Sequence, residues 1–184
     1  MTVEIEGQPA LLVVDLQAGT LASAFAHPAD DVLSATASLV DAFRGRRAPV
    51  VFATSTGTPP GRNAYGSQQR LFPEEARAIA PALGARDDEP VVARAALSAF
   101  SGTDLDAMLR DRGVATVVVA GVATSFGVES SVRAAYDLRF HVVVASDAVT
   151  DLRRETHDHA LRAVFPAIAQ VAATAEIVGL LDRA

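Results

Sequence analysis

The sequence predicts an α/β protein in which helices cover both faces of a parallel β-sheet, giving a three-layer αβα sandwich. Two observations predict it: short valine-rich runs recur along the chain, and segments with helical spacing of apolar residues lie between them. Such short runs are typical of strands buried on both faces. Strands that alternate with amphipathic helices require right-handed crossovers, and these produce a parallel sheet.

The predicted strands follow one another at fairly even spacing. Five runs and a shorter sixth are predicted as strands: Ala10 to Val14, Pro49 to Thr54, Pro90 to Ala93, Ala115 to Ala120, His141 to Ala145 and Gln170 to Ala172. Helices are predicted around residues 32–43, 105–109, 128–136 and 161–165, and Thr174 can cap a closing helix. The segment Ser55 to Phe72 is too long for an ordinary connection, so we expect a loop over the site or an arm in an oligomer.

Composition narrows the class of protein. A chain of 184 residues, 50% hydrophobic, predicts one domain spanning residues 1–184. A net charge of −6 without a basic run argues against a nucleic-acid partner. No apolar stretch approaches the roughly 18 residues of a membrane span and no signal-peptide pattern opens the chain, so we expect no membrane contact and a cytoplasmic location. The absence of cysteine excludes disulfides and thiolate chemistry.

Two segments at predicted strand ends carry candidate chemistry, because ligands of open parallel sheets bind beyond the carboxyl ends of the strands. Asp15 ends the run ALLVVD, where partial burial would raise its pKa and suit it to proton transfer. Taken alone, Asp15 fits a structural cap better. The turn from Gly121 to Gly127 presents backbone N–H groups at a helix start, which suits an oxyanion, or it is an ordinary turn that uses glycine for its backbone freedom.

Five blocks of the chain resemble the successive signature blocks of isochorismatase-like hydrolases. They occur in family order from about residue 8 to residue 182, as ALLVVDLQ, VVARAALSAF, SGTDLDAML, VVVAGVATSFGVESSVRAAYDL and VVVASDAVTDL. PGR at Pro60 to Arg62 and HDHALRAVFP at His157 to Pro166 further resemble a subgroup. The resemblance implies a Rossmann-like fold with a six-stranded parallel sheet between helices.

The resemblance also implies the composition of the site. Asp15 matches the family's aspartate, and Gln17 matches the polar residue that follows it and contacts substrate. Val122 and Ala123 fall where the family has a cis peptide that does not involve proline, which turns amide N–H groups toward a substrate oxyanion. We expect the N–H groups of Ala123 and Gly127 to be the donors.

Three further positions are candidates for substrate contact. Leu97 and Phe100 match pocket-wall residues of the family, or they belong to the core. Ser125 lies in the turn and can contact substrate. No histidine is placed by the sequence to activate its hydroxyl, so a turn hydroxyl bonded to backbone is the favoured interpretation.

Two positions depart from the family pattern. Gly127 occupies the position of the nucleophilic cysteine, which excludes a thioester route, and the isochorismatases proper also carry glycine there and use protonation and water attack. Arg94 occupies the lysine position. It can pair with Asp15 and anchor a carboxylate, but it essentially cannot exchange a proton. A close Arg94 favours ionised Asp15, so we expect a general base for water, or else a purely structural ion pair.

No metal or other cofactor is expected. The metal-dependent nicotinamidases carry Asp and His ligands after the second strand, where this chain has FATSTGTPPG. His157 and His159 are two residues apart on a predicted helix and point in different directions, so we expect a capping or surface role for them.

These observations predict a hydrolase that cleaves an enol ether or a C–N bond of a small polar or carboxylate-bearing substrate by water attack, with Asp15 as acid/base. As in related proteins, a homo-oligomer is expected. The alternative is a non-catalytic member that binds a small ligand or serves as an assembly partner, because two of three catalytic positions are altered. A third hypothesis is an amidase that uses Ser125 as nucleophile.

Overall fold

The computed structural model describes residues 3–64, 66 and 69–183. Its centre is a six-stranded, fully parallel sheet with the strand order β3-β2-β1-β4-β5-β6. The strands are β1 (Gln8–Val14), β2 (Val50–Ser55), β3 (Val91–Arg94), β4 (Val114–Val122), β5 (His141–Thr150) and β6 (Gln170–Ala172). The predicted fold class is confirmed, and each predicted strand coincides with an observed one to within a few residues.

Helices cover the sheet on both sides. They are α1 (Ala18–Leu21), α2 (Ala29–Gly45), α3 (Glu74–Arg77), α4 (Leu105–Asp111), α5 (Glu129–Asp137), α6 (Arg154–His159) and α7 (Thr174–Arg183). Successive residues of a strand point to opposite faces. Accordingly, Leu11 and Val13 of β1 join a core with α2 and α7, whereas Leu12 and Val14 join a core with α4 and α5. The sheet therefore lies between two apolar layers.

The edge strand β3 departs from the prediction of strands buried on both faces. Val91 is 52% exposed while its neighbour Val92 is buried, and the alternation continues through Ala93 and Arg94. That prediction is wrong for β3, because the strand lies at the sheet edge and only one of its faces is covered. The buried face is the one that carries Arg94.

The strand order changes direction between β1 and β4. From β1 the chain proceeds outward to β2 and β3, whereas β4 lies on the other side of β1 and leads to β5 and β6. Connections that diverge in this way open a crevice at the carboxyl ends of the two central strands. Asp15 follows β1 and the turn after Val122 follows β4, so the fold brings the two predicted chemical segments to the same edge.

Close approach of β4 to β1 depends on Gly121. Its φ is +126°, and a Cβ built on it would overlap the carbonyl oxygen of Val14. Only glycine avoids this contact, because the obstacle is backbone and cannot rotate away.

The long segment Ser55 to Phe72 is described except for residues 65, 67 and 68. Antiparallel bridges join Gly57 to Leu71 and Asn63 to Gly66, so the segment folds back on itself beside the crevice. None of the helices in the described residues is long and apolar enough to cross a membrane.

Gly121→Ala is expected to lower the free energy of unfolding by about 2 to 4 kcal/mol, because its methyl group meets the Val14 backbone at a φ that alanine rarely adopts. Urea denaturation measures the change. Gly179→Ala in α7 is the matched control, since its Cβ would meet nothing nearer than 3.6 Å and a helical Gly→Ala change is stabilising by about 0.5 to 1 kcal/mol. Equal stability of the two variants would contradict the close-approach argument.

Candidate active site

Asp15 stands immediately after β1 with a backbone that is unusual for a residue with a side chain. Its φ is +53°, in the left-handed region. Hydrogen bonds hold it there: its N–H donates to the Ala53 carbonyl at 2.9 Å, and its own carbonyl accepts from the Gln17 N–H and the Thr20 hydroxyl. The residue is 9% exposed. A backbone strained by about 1 to 2 kcal/mol is thus fixed so that the carboxylate points to the strand-end crevice.

The Asp15 carboxylate forms a two-pronged ion pair with Arg94. The Nη1 and Nη2 atoms donate to Oδ1 at 2.5 Å and to Oδ2 at 2.9 Å, and Nη2 also donates to the Leu97 carbonyl at 3.0 Å. The Arg94 side chain is 1% exposed. Arg94 ends β3 and Asp15 follows β1, so the long side chain reaches across the end of β2. Within the part of the chain that the structure describes, Arg94 Nε has no hydrogen-bond partner.

The protonation of Asp15 is set by two opposing effects. Burial raises the pKa of the Asp15 carboxyl above its ordinary value, while the hydrogen bonds and charge of Arg94 lower it, and burial is the larger effect. The sequence predicted that Arg94 would control this balance in favour of the ionised form. The pKa of the carboxyl moves the other way, because desolvation of a carboxylate this deeply buried outweighs the single cation.

The turn after β4, residues 123–128, is called the donor turn below. The peptide bond between Val122 and Ala123 is cis, as the resemblance implied. A π-helical turn, Thr124–Val128, follows, and the Ala123 carbonyl accepts from the N–H groups of Phe126 at 3.0 Å and Val128 at 3.2 Å. This wide turn carries the chain from β4 directly into α5.

Gly127 brings the donor turn against the ion pair. A Cβ built on Gly127 would lie 2.9 Å from Oδ2 of Asp15 and 3.1 Å from Cγ1 of Val14. The Gly127 carbonyl accepts from the Ser131 hydroxyl at 2.7 Å, and the Ser131 oxygen in turn accepts from the Ala99 N–H at 2.9 Å. The donor turn is therefore fastened to the segment that follows β3 as well as packed on the carboxylate.

The side chain of Gln17 is fully engaged with backbone. Its Oε1 accepts from the Ser55 N–H at 2.7 Å, and its Nε2 donates to the carbonyls of Ser55 at 3.2 Å and Arg77 at 2.9 Å. The residue is 1% exposed. This arrangement ties the end of β2 and the end of α3 to the segment after Asp15, and the substrate contact of Gln17 stays a prediction.

The three remaining predicted contacts lie in different surroundings. Leu97 is 48% exposed and lines a cleft, and its carbonyl accepts a hydrogen bond from Arg94. Phe100 packs on the core, with its ring centroid 6.1 Å from that of Phe140. Ser125 is fixed through its backbone, because its N–H donates to Oδ2 of Asp151 at 2.6 Å.

The cleft has a volume of about 770 Å³ and is bounded by the segment after β2 on one side and by Leu97 and Phe126 on the other. Two cationic side chains, Arg62 and Arg70, line it, and no acidic residue is among its described lining residues. Phe126 is 51% exposed and directly precedes Gly127. The cleft thus combines apolar walls with positive charge, and it is connected to the ion pair through Leu97, whose carbonyl accepts from Arg94.

The sequence did not indicate that two polar residues, Asp151 and His157, lie buried behind the donor turn. Asp151 is 1% exposed and follows β5. His157 is 3% exposed, and its Nδ1 lies 2.9 Å from the hydroxyl of the fully buried Thr124. The predicted surface or capping role of His157 is wrong, because α6 turns this face toward the donor turn. Asp151 could have been found by applying the strand-end rule to β5.

No group of three or more His, Cys, Asp or Glu side chains is placed to hold a metal ion among residues 3–64, 66 and 69–183.

Comparison with known proteins agrees with this architecture. The isochorismatase domain matches residues 9–176. The chain belongs to the isochorismatase family. The isochorismatase family protein YecD of Escherichia coli O157:H7 is 35% identical over 179 residues, covering 94% of this chain and 95% of YecD.

Two solved structures extend the comparison. An isochorismatase family protein from Burkholderia thailandensis superposes with a TM-score of 0.88 at 37% identity, covering 95% of this chain and 96% of that one. N-carbamoylsarcosine amidase from Thermoplasma acidophilum has a TM-score of 0.76 at 24% identity, covering 91% and 97%, so it shares the fold. Membership of this family supports a hydrolase.

Substitution of either partner of the ion pair is expected to destabilise the protein, and the two losses should depend differently on pH. Asp15→Asn and Arg94→Met should each cost about 3 to 5 kcal/mol near neutral pH, since each leaves a buried charge unpaired. The cost of Arg94→Met should shrink as the pH falls, because Asp15 can take up a proton, whereas Arg94 cannot become neutral in Asp15→Asn.

Urea denaturation at several pH values measures both losses. Arg133→Met is the control, because its pair with Glu129 is a half-exposed contact within one helix, worth about 0 to 1 kcal/mol. A pH-independent loss in Arg94→Met would contradict the proposed burial of ionised Asp15.

Proposed function

We propose that this protein is a hydrolase that cleaves an enol ether or a C–N bond of a small polar or carboxylate-bearing molecule by water attack, with Asp15 as acid/base and without a covalent intermediate. One observation carries the proposal: the buried Asp15 carboxylate lies between the Arg94 guanidinium and Gly127 of the donor turn. A proton acceptor and a cation are therefore in contact, with the backbone of the donor turn packed against them.

Asp15 is suited to proton transfer by its burial. A carboxyl whose pKa is raised is a stronger base than an ordinary aspartate, so its ionised form can take a proton from an attacking water. Its protonated form can give that proton to the leaving group. Arg94 orients the carboxylate through both oxygens and contributes positive charge where a substrate oxyanion develops.

Water is the proposed nucleophile because the resemblance puts Gly127 at the position of the family's cysteine. The proposal therefore places the chain in a subgroup that lacks the thioester route. His157 is engaged with Thr124 rather than with Ser125. The backbone N–H groups of Ala123 and Gly127 are the proposed donors to the oxyanion.

The cleft lined by Leu97 and Phe126 supports a carboxylate-bearing substrate. Arg62 and Arg70 contribute positive charge to it, and Leu97 and Phe126 provide apolar walls. An organic acid with a compact apolar body complements this surface, because guanidinium groups recognise carboxylates through paired hydrogen bonds. No bound cofactor is required for the proposed reaction, and the homo-oligomer and cytoplasmic location expected from the sequence remain predictions.

One observation favours a non-catalytic member instead. The Arg94 side chain is 1% exposed and both Asp15 oxygens accept from it, so the charges of the pair balance each other without a ligand. Such a pair can be structural, with the cleft retained for ligand binding or assembly. Binding of substrate analogues without turnover of any of them would support this alternative.

Asp15→Asn is expected to reduce turnover at least 100-fold, because the amide cannot accept the proton of water. The wild type is screened against an enol ether such as isochorismate, N-carbamoylsarcosine and carboxylate esters. The double variant Asp15→Asn with Arg94→Gln is assayed as well, since it leaves neither member of the pair as an unpaired buried charge, and urea denaturation checks that it is folded.

Asp41→Asn serves as the control for that series, because the Asp41 side chain is 83% exposed. Undiminished turnover in both Asp15 variants would contradict the assignment of Asp15 as the acid/base. Loss of activity in Ser125→Ala, with a trapped covalent adduct in the wild type, would instead favour the amidase hypothesis.

The rate of hydrolysis should fall on acidification, and the fall should occur at a higher pH than the one at which ordinary carboxyl groups titrate. Burial raises the pKa of Asp15, and the base is active only when ionised, so activity is full above this pKa and declines as the pH falls through it. The pH profile of kcat/KM in the wild type measures it. An acid limb at or below the ordinary aspartate value of about 4 would contradict the assignment.

A further inference from the structure

We propose that Thr124 and His157 form a buried latch that holds the donor turn against Asp15, which makes His157 a positioning residue of the site. The role in catalysis rests on the proposed function. The latch itself rests on contacts that exist whatever the reaction is.

The latch joins the first residue of the donor turn's π-helical part to α6. Thr124 is 0% exposed and His157 is 3% exposed, and the Thr124 hydroxyl lies 2.9 Å from His157 Nδ1. Thr124 directly follows Ala123, and Gly127 is three residues further on. One side-chain hydrogen bond therefore fixes the start of the segment whose end packs on the carboxylate.

Burial makes this hydrogen bond consequential. Water cannot replace a lost partner at a fully enclosed hydroxyl, so removal of either side chain leaves an unsatisfied polar group or forces the turn to move. Gly127 packs so closely on Asp15 that a Cβ built on it would lie 2.9 Å from Oδ2. Movement of the turn therefore changes this contact.

Asp151 supplies a second, separate anchor. Its Oδ2 accepts from the Ser125 N–H at 2.6 Å and its Oδ1 from the Leu152 N–H at 2.7 Å, while its carbonyl accepts from the Ala26 N–H at 2.7 Å. This anchor holds backbone, whereas the latch acts through side chains. A substitution in the latch can therefore loosen the turn without releasing it.

The surroundings of His157 favour its neutral form. Burial lowers the pKa of its imidazole and His27 lowers it further, with ring centroids 4.8 Å apart; Arg154 acts in the same direction, whereas Asp158 and Asp151 oppose. The unfolded chain then binds more protons than the folded one once the pH drops below about 6.5, the ordinary histidine value. Stability that His157 contributes is full above that pH and is lost as the pH falls toward the lowered pKa.

Amide hydrogen exchange tests whether the latch holds the turn. Thr124→Val should raise the exchange rates of the donor-turn amides about tenfold relative to those of β4, the change expected when one net hydrogen bond is lost. Thr124→Ser, which retains the hydroxyl, should restore the wild-type rates. The double variant Thr124→Val with His157→Phe should exchange no faster than Thr124→Val alone, because both changes remove the same bond.

Thr36→Val is the matched control. Thr36 is also fully buried, and within the described residues its hydroxyl has no hydrogen-bond partner, so this change should leave the donor turn unaffected. Unchanged donor-turn exchange in Thr124→Val, or additive effects in the double variant, would overturn the latch.

The carbon-13 shift of the Asp15 carboxyl, followed against pH, tests the positioning role without any substrate. If the loosened turn admits water to the carboxylate, Thr124→Val should move the pKa of Asp15 toward the ordinary value, and Thr36→Val should not. Faster exchange with an unchanged Asp15 titration would show a latch that does not position the turn, which overturns the proposal.

Activity, where the screen finds it, adds a final check. Thr124→Val should lower kcat about tenfold with KM little changed, with recovery in Thr124→Ser. A change in KM alone would contradict the positioning role. If no compound is turned over, the proposed function fails while exchange and titration still decide the latch.

Discussion

The site depends on one constraint: the negative charge of a carboxylate removed from water must be balanced by a cation in direct contact with it. Asp15 is fixed by its left-handed backbone after β1, and Arg94 reaches it from the end of β3 across β2. The parallel sheet makes this possible because it brings the ends of separate strands to one edge. Neither partner could be buried alone, since an isolated buried charge costs several kcal/mol. The ion pair therefore makes the geometry of three strand ends interdependent.

Arg94 and Gly127, which the resemblance predicts to be departures from the family pattern, are physically compatible with each other. A guanidinium engages both oxygens of Asp15, and its Nη2 holds Oδ2 at 2.9 Å. That same oxygen would lie 2.9 Å from a Cβ at Gly127. A larger residue there would have to displace an oxygen that Arg94 fixes, so the fork of the arginine and the absence of a side chain at 127 fit together.

The sheet could be predicted from the sequence because its signals are local. Valine runs mark the strands, and the alternation of strands with helices determines that the sheet is parallel. Asp15 and the donor turn could be located for the same reason, since both follow recognisable strands. Three features could not be predicted from local signals: the exposure of Val91, the hydrogen bonds of Gln17 to Ser55 and the burial of His157. They depend on which element covers which face, and spacing along one helix or strand does not contain that information.

The same desolvation acts in opposite directions on the two titratable groups of the site. Burial raises the pKa of Asp15 and lowers that of His157, since in each case it disfavours the charged form. Acidification is nevertheless expected to impair both, because Asp15 in its proposed role is a base only when ionised and the surroundings of His157 favour its neutral form. The two effects differ in kind: protonation of Asp15 removes a charge beside Arg94, whereas protonation of His157 adds one beside His27. If acidification lowers the rate while the stability is unchanged, protonation of Asp15 is the cause. If the stability falls before the rate does, protonation of His157 is the cause.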